Sequence, residues 1–198
     1  MQENAQGVLE VLIDQVAVDR RTITVSGLIF PGRTDEWIAY IEAMQAADHF
    51  KPIAIYIDSE GGDANGAVAM YEVLRRLDAE GTPTVGVVYG CCESAAPIIL
   101  AGCSHREAFA NARFVLHNPQ PLIVAESAGS VEDLLQTAEF QQLLVERLQN
   151  CHQLGLRFCE IMVERTKLSG IGYALLSTQQ AWFNAWEAQR IGLIHRIC

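Results

Sequence analysis

No apolar run of this chain approaches the ~20 residues that a membrane-spanning helix needs. The longest, around Ala95–Ala101, is broken by Pro97. The start, Met1-Gln2-Glu3-Asn4, lacks the basic residues and apolar stretch of a secretory signal. Basic residues are few: 14 Lys and Arg stand against 24 Asp and Glu, a net charge of −10 with pI ≈ 4.9. Nucleic acids and anionic membranes both recruit clustered Lys and Arg, so neither is expected as a partner. There is no CxxC pair and no Cys/His group at metal-ligand spacing, so neither a metal nor another cofactor is expected. Linkers, low-complexity stretches and internal repeats are absent too.

What is present is a chain of 198 residues, 50% hydrophobic and only 19% charged. That length and balance suit one domain, 1–198, with a real core, and they exclude disorder. The expected location is the cytoplasm. The six cysteines (Cys91, Cys92, Cys103, Cys151, Cys159 and Cys198) then read as small apolar residues in a reducing compartment.

Hydrophobic periodicity predicts alternating strands and helices. Strands are expected at Thr22–Leu28, Pro52–Ile57 and Thr84–Tyr89, the last two as apolar runs covered on both faces. Helices are expected at Asp35–Asp48, with Trp37, Ile38, Ile41 and Met44 inward, and at Asn65–Ala79, stopped by Gly81. A short helix should follow Ser94 and end near Gly102, before a strand pair at Glu107–Ala110 and Arg113–Leu116. Ser130 reads as the N-cap of a long helix, Ser130–Leu154, ended by Gly155. Helices near Arg157–Lys167 and Asn184–Ile191 and a short strand at Leu193–Ile197 complete the pattern. Such alternation argues for an α/β fold with a mainly parallel sheet, in which sites form where strands end.

Two strand ends carry chemistry. In Ile57-Asp58-Ser59-Glu60-Gly61-Gly62, adjacent glycines let backbone N–H groups point at one spot, which suits an oxyanion or an extended peptide, although taken alone a plain tight turn is the favoured reading. In Gly90-Cys91-Cys92-Glu93-Ser94-Ala95-Ala96, a serine sits between a strand and a helix. It reads either as an N-cap or as a nucleophile beside an oxyanion hole. A nucleophile needs a base, and His117 closes the β-rich run Phe114-Val115-Leu116-His117-Asn118-Pro119.

Taken together, Gly61-Gly62, Gly90-x-x-x-Ser94-Ala95-Ala96 with Leu100-Ala101-Gly102 behind it, and Leu116-His117-Asn118-Pro119 resemble the Clp protease proteolytic subunit family, ClpP, whose relatives include phage prohead proteases. The resemblance runs from about Arg21 to the end, where Ala185-Trp186-Glu187-Ala188-Gln189-Arg190-Ile191-Gly192-Leu193-Ile194 is similar to the family's closing segment. It implies a ClpP/crotonase-type α/β fold with flanking helices and a long protruding handle helix at 130–154. It also implies a serine endopeptidase with Ser94 as nucleophile and His117 as general base and acid, and an oxyanion hole at Gly62 and Ala95. Substrate peptide would be held by β-addition along the strand after Gly62 and along Asn118–Leu122, with Gly61, Asp63 and Asn118 as binding residues. The substrates would be unfolded polypeptides and peptides, fed by an ATP-dependent unfoldase into paired homo- or hetero-heptameric rings, a tetradecamer. The segment 1–19 would line the axial pore.

The sequence departs from the family pattern at several points. Gln180 occupies the place of the triad aspartate, so an amide stands where a carboxylate would face the imidazolium. Glu60 replaces a proline, Ala95 a methionine and Glu93 an alanine. Glu93 could raise the proton affinity of the histidine or point into solvent, and solvent is the favoured reading. A reactive-thiol role for Cys91 or Cys92 would need exposure and a depressed pKa. Besides the active peptidase, the pattern admits a weakly active or non-catalytic ring subunit assembling with an active paralogue. A crotonase-type acyl-CoA enzyme is also conceivable, but it leaves Ser94 and His117 unexplained.

Overall fold

The apolar run Ile53–Ile57 becomes the first half of strand β2 (Ile53–Gly62), with Ile53, Ile55 and Ile57 wholly buried. The computed structural model describes residues 20–120 and 137–198. Around β2 lie β1 (Thr22–Ile29), α1 (Arg33–Ala47), α2 (Ala64–Ala79) and β3 (Thr84–Glu93). Then follow α3 (Ala96–Gly102), β4 (His105–Ala108), β5 (Arg113–Leu116) and α4 (Ala138–Arg165). The chain closes with α5 (Gly170–Thr178), β6 (Ala181–Asn184), α6 (Ala185–Arg190) and β7 (Arg196–Ile197). The sheet runs β1-β2-β3-β4-β7, parallel throughout, so the expected α/β class with a mainly parallel sheet holds.

Only one face of β2 and β3 is fully covered. Tyr56 and Tyr89 lie on the other face, over a third exposed, with ring centroids 6.4 Å apart. This corrects the expectation of strands covered on both sides. The covered face packs Trp37, Ile41 and Met44 of α1, Tyr71, Leu74 and Leu77 of α2, and Ile98–Leu100 of α3. Each such side chain contributes about 1.5–3 kcal/mol on burial.

Strand β3 forks, and the fork builds the site. Its first half, Val85–Val88, pairs with β4, whereas Cys91–Glu93 pair with β5. At the fork, Asp58 of β2 accepts the Cys91 N–H at 2.8 Å. A Cβ on Gly90 would collide with that carboxylate, so the position requires glycine. β4 and β5 were expected as a pair, but each pairs with β3 instead, and β6 adds antiparallel to β5.

The long helix also differs from expectation. α4 passes through Gly155 without a break, so one helix replaces the two predicted either side of it. Within the described residues it starts at Thr137, whose side chain accepts the Phe140 N–H. The expected cap at Ser130, the start of the handle, the segment 1–19 and Pro121–Leu122 lie outside the described residues. α5 and β6 have no counterpart in the sequence reading. The end of the chain is tied down by Arg106, 3% exposed, which donates to the carbonyls of Ala101, Arg165, Gly192 and Leu193. Burial lowers its guanidinium to about 10.

Candidate active site

Ser94 follows the last residue of β3 with φ 59°, a left-handed conformation that β-strand and helix residues avoid. Its backbone N–H donates to Val115 O at 3.1 Å, so β5 clamps the turn. Ala95 then opens the seven-residue α3, with Pro97 at its second position. The Ala95 N–H has no acceptor among the described residues. Ser94 caps no helix by its side chain, and its hydroxyl makes no hydrogen bond among those residues either. The N-cap alternative for Ser94 is therefore not what the geometry shows.

The strand that clamps Ser94 also delivers His117, one residue past the end of β5. His117 Nδ1 lies 2.7 Å from the carbonyl oxygen of Asn118. A carbonyl can only accept, so Nδ1 carries the proton and Nε2 is the basic nitrogen.

Ser94, Ala95, His117 and Gly62 line one cleft of about 540 Å³. Gly62 lines it at φ 142°, next to Gly61 at φ 88°. A Cβ on Gly62 would overlap the Ile29 carbonyl, and one on Gly61 would sit 2.5 Å from Glu93 O and Ser94 Cβ. No strand follows Gly62, contrary to expectation: Asp63 caps α2, its carboxylate accepting the Asn65 N–H at 3.1 Å. Asp63 still lines the cleft, while Asn118 lines a smaller cavity of about 310 Å³ that shares Pro119 and Cys151 with it. The cleft thus brings together a serine in a strained conformation, a histidine whose Nε2 is the basic nitrogen, and the backbone of Gly62 and Ala95.

Gln180 lies next to Ala181, the register partner of Leu116, and so stands opposite His117 just beyond the β5–β6 ladder. It is exposed, sits at φ 49°, and its amide makes no hydrogen bond among the described residues. Glu93 does not simply point into solvent. It is partly buried, and burial first, then the Glu60 carboxylate, raises its carboxyl above the usual value, against the pull of Arg113 and His117. Neither Cys91 nor Cys92 has the exposure and depressed pKa that a reactive thiol needs: burial pushes Cys91 up to about 11 and holds Cys92 well above its ordinary value. Among the described residues no group of His, Cys, Asp and Glu could hold a metal ion.

The sequence reading missed half of the cleft wall. Arg147, Asn150, Cys151, Leu154 and Phe158 of α4 line it, and Leu28, Phe30 and Pro31 close the opposite side. The α4 residues recur at helical spacing, and that stripe was the available signal.

A model of the Clp protease family matches residues 6–198. The chain belongs to the Clp protease family. Among the relatives of this Clp-family chain is the ATP-dependent Clp protease proteolytic subunit 2 of Treponema denticola, 25% identical over 92% of this chain and 84% of that protein. Another is proteolytic subunit 3 of Rhodococcus jostii, 26% identical over 90% and 81%. A mutant ClpP1 from Listeria monocytogenes superposes with a TM-score of 0.73 at 19% identity, covering 94% of this chain and 95% of that one. The expected Clp-type proteolytic subunit, a serine peptidase by family, and its ClpP-type fold are thereby borne out. Among the described residues no helix is long and apolar enough to cross a membrane.

Proposed function

We propose that this Clp-family subunit hydrolyses peptide bonds of unfolded polypeptides with Ser94 as nucleophile and His117 as general base and acid. The observation that carries the reading is that strand β5 holds both residues in one cleft, Ser94 through its N–H to Val115 and His117 through the chain itself. As Ser94 Oγ bonds to the scissile carbonyl carbon, its proton passes to His117 Nε2. The negative charge on the carbonyl oxygen is met by the N–H groups of Ala95 and Gly62. Collapse breaks the C–N bond, and the imidazolium gives its proton to the leaving amine. Water, deprotonated by the same nitrogen, then cleaves the acyl-enzyme. The Asn118 carbonyl keeps the imidazole in the required tautomer throughout.

Gly62 at the end of β2 and Pro119–Gln120 line the cleft with Ser94, which suits an extended substrate strand laid along them. Gly61, Asp63 and Asn118 are its binding residues. Exposed Leu143, Val145 and Leu148 on α4 give an apolar surface that fits ring-to-ring assembly, with an ATP-driven unfoldase as feeder. Six free cysteines fit a reducing cytoplasm.

A fluorophosphonate probe tests the reading. Purified protein should be labelled at Ser94, with labelling abolished in Ser94→Ala. A protein that is unlabelled alone but supports peptidase activity with an added paralogue would instead identify a ring subunit dependent on that partner. Gln180, which offers no carboxylate, is the feature that would favour that outcome.

A further inference from the structure

The last residue of β3 sits where it can act on the histidine. In the parallel β3–β5 ladder Glu93 is in register with Val115, so both side chains project from the same face. The diagonal neighbours on that face are Arg113, two residues before Val115, and His117, two residues after it. The Glu93 carboxyl interacts electrostatically with both. From β2, the adjacent Glu60 repels it; from β6, the uncharged Gln180, Trp182 and Asn184 come to this face among the described residues, while Asp63 at the N-cap of α2 and Arg147 of α4 line the cleft together with His117. Trp182, in register with Val115, carries the Arg113 guanidinium over its ring at 6.0 Å. That contact gives Arg113 an aromatic partner beside Glu93.

His117 therefore meets two separate needs from two separate groups. Its tautomer is set by the Asn118 carbonyl, which is neutral. Charge to stabilise the imidazolium has to come from elsewhere, because no carboxylate hydrogen-bonds His117 among the described residues and the amide of Gln180 carries none.

We propose that Glu93 is a positioning residue for hydrolysis by this chain, its carboxylate held beside His117 by the β3–β5 register and stabilising the protonated imidazole through space. This rests on the reading of Ser94 and His117 as nucleophile and base. The inference assigns a use to the charge directly before the nucleophile.

The test is the rate of fluorophosphonate labelling at Ser94 in wild type, Glu93→Gln and Glu93→Asp, from about pH 5.5 to about pH 9. In Glu93→Gln the plateau rate should fall about 3- to 10-fold, and the acidic limb should move to lower pH by roughly half to one unit, as expected for losing one carboxylate at ~7 Å in partly solvated surroundings. Glu93→Asp should recover most of both. A Glu93→Gln profile superimposable on wild type along the pH axis, whatever its height, overturns the proposal, because a merely structural loss lowers the rate without moving the limb. Failure of wild type to label at all counts against the Ser94–His117 reading itself and is distinguished from the first outcome by that absence.

Discussion

The Nδ1 atom of His117 donates to the carbonyl oxygen of its own neighbour, Asn118, at 2.7 Å. In serine peptidases that rely on an aspartate, the carboxylate does two jobs at once: it fixes the imidazole tautomer and it stabilises the imidazolium. Here the backbone does the first. The second falls, under the proposal above, to Glu93 across the β3–β5 ladder.

That separation bears on Gln180→Asp. Exchanging the triad carboxylate for its amide costs ~10⁴ in kcat when the tautomer is lost with the charge. With the tautomer already set, Gln180→Asp should raise kcat for peptide hydrolysis by only about 10-fold. Steady-state hydrolysis of a fluorogenic peptide measures this, and an unchanged rate would show that position 180 has no reach to His117.

Ser94 stores backbone strain. Its φ of 59° costs a non-glycine residue about 1–2 kcal/mol. Ser94→Gly should therefore melt several degrees above Ser94→Ala while both are inactive. Equal melting temperatures would place the conformation outside the strained class.

Gly61 has no room for a methyl group, since a Cβ would lie 2.5 Å from both the Glu93 carbonyl and Ser94 Cβ at a φ of 88°. Gly61→Ala should destabilise the fold by about 2 kcal/mol and displace Ser94 enough to cut labelling at least ~100-fold. Chemical denaturation and labelling read the two effects separately. Labelling at the wild-type rate would mean that the turn tolerates displacement.

The carboxy-terminal segment should make stability depend on acid. His195 is lowered from 6.5 to about 4, chiefly by burial and then by the Arg106 guanidinium. In the window between those values the unfolded chain takes up the proton first, so stability is full above about pH 6.5 and is lost as the pH falls towards 4. Thermal melts of wild type and His195→Gln across this range check it. The variant should lose less stability on acidification, and parallel curves would remove His195 as the cause.

Much of the frame was legible because it rests on local patterns. Ile53–Ile57 and Thr84–Tyr89 read as strands from their β-branched residues, and Gly81, at φ 91°, stops α2 as expected. Gly155 misled because an interior glycine costs a helix only ~1 kcal/mol, which the packing of Phe158, Ile161 and Met162 just beyond it outweighs. Gly155 instead faces Pro119, whose Cδ would lie 3.8 Å from an added Cβ. β6 escaped notice because its four residues are a strand only through pairing with β5, a tertiary fact. For the site, Ser94, His117 and the glycines were found through their order along the chain. The Asn118 carbonyl was not, since a backbone acceptor leaves no residue signature, and the α4 wall of Arg147, Asn150 and Leu154 shows in the sequence only as a stripe at helical spacing, with nothing to say what it faces. The surroundings of Glu93, half-buried rather than open to solvent, depend on which residue lies across the ladder, and that is not written in the local sequence.

The most direct measurement is hydrolysis of an unstructured fluorogenic peptide by the purified protein, compared with Ser94→Ala prepared in parallel. The account expects steady cleavage by wild type and none above background by the variant. Equal rates from the two proteins, whether both cleave or neither does, would contradict it.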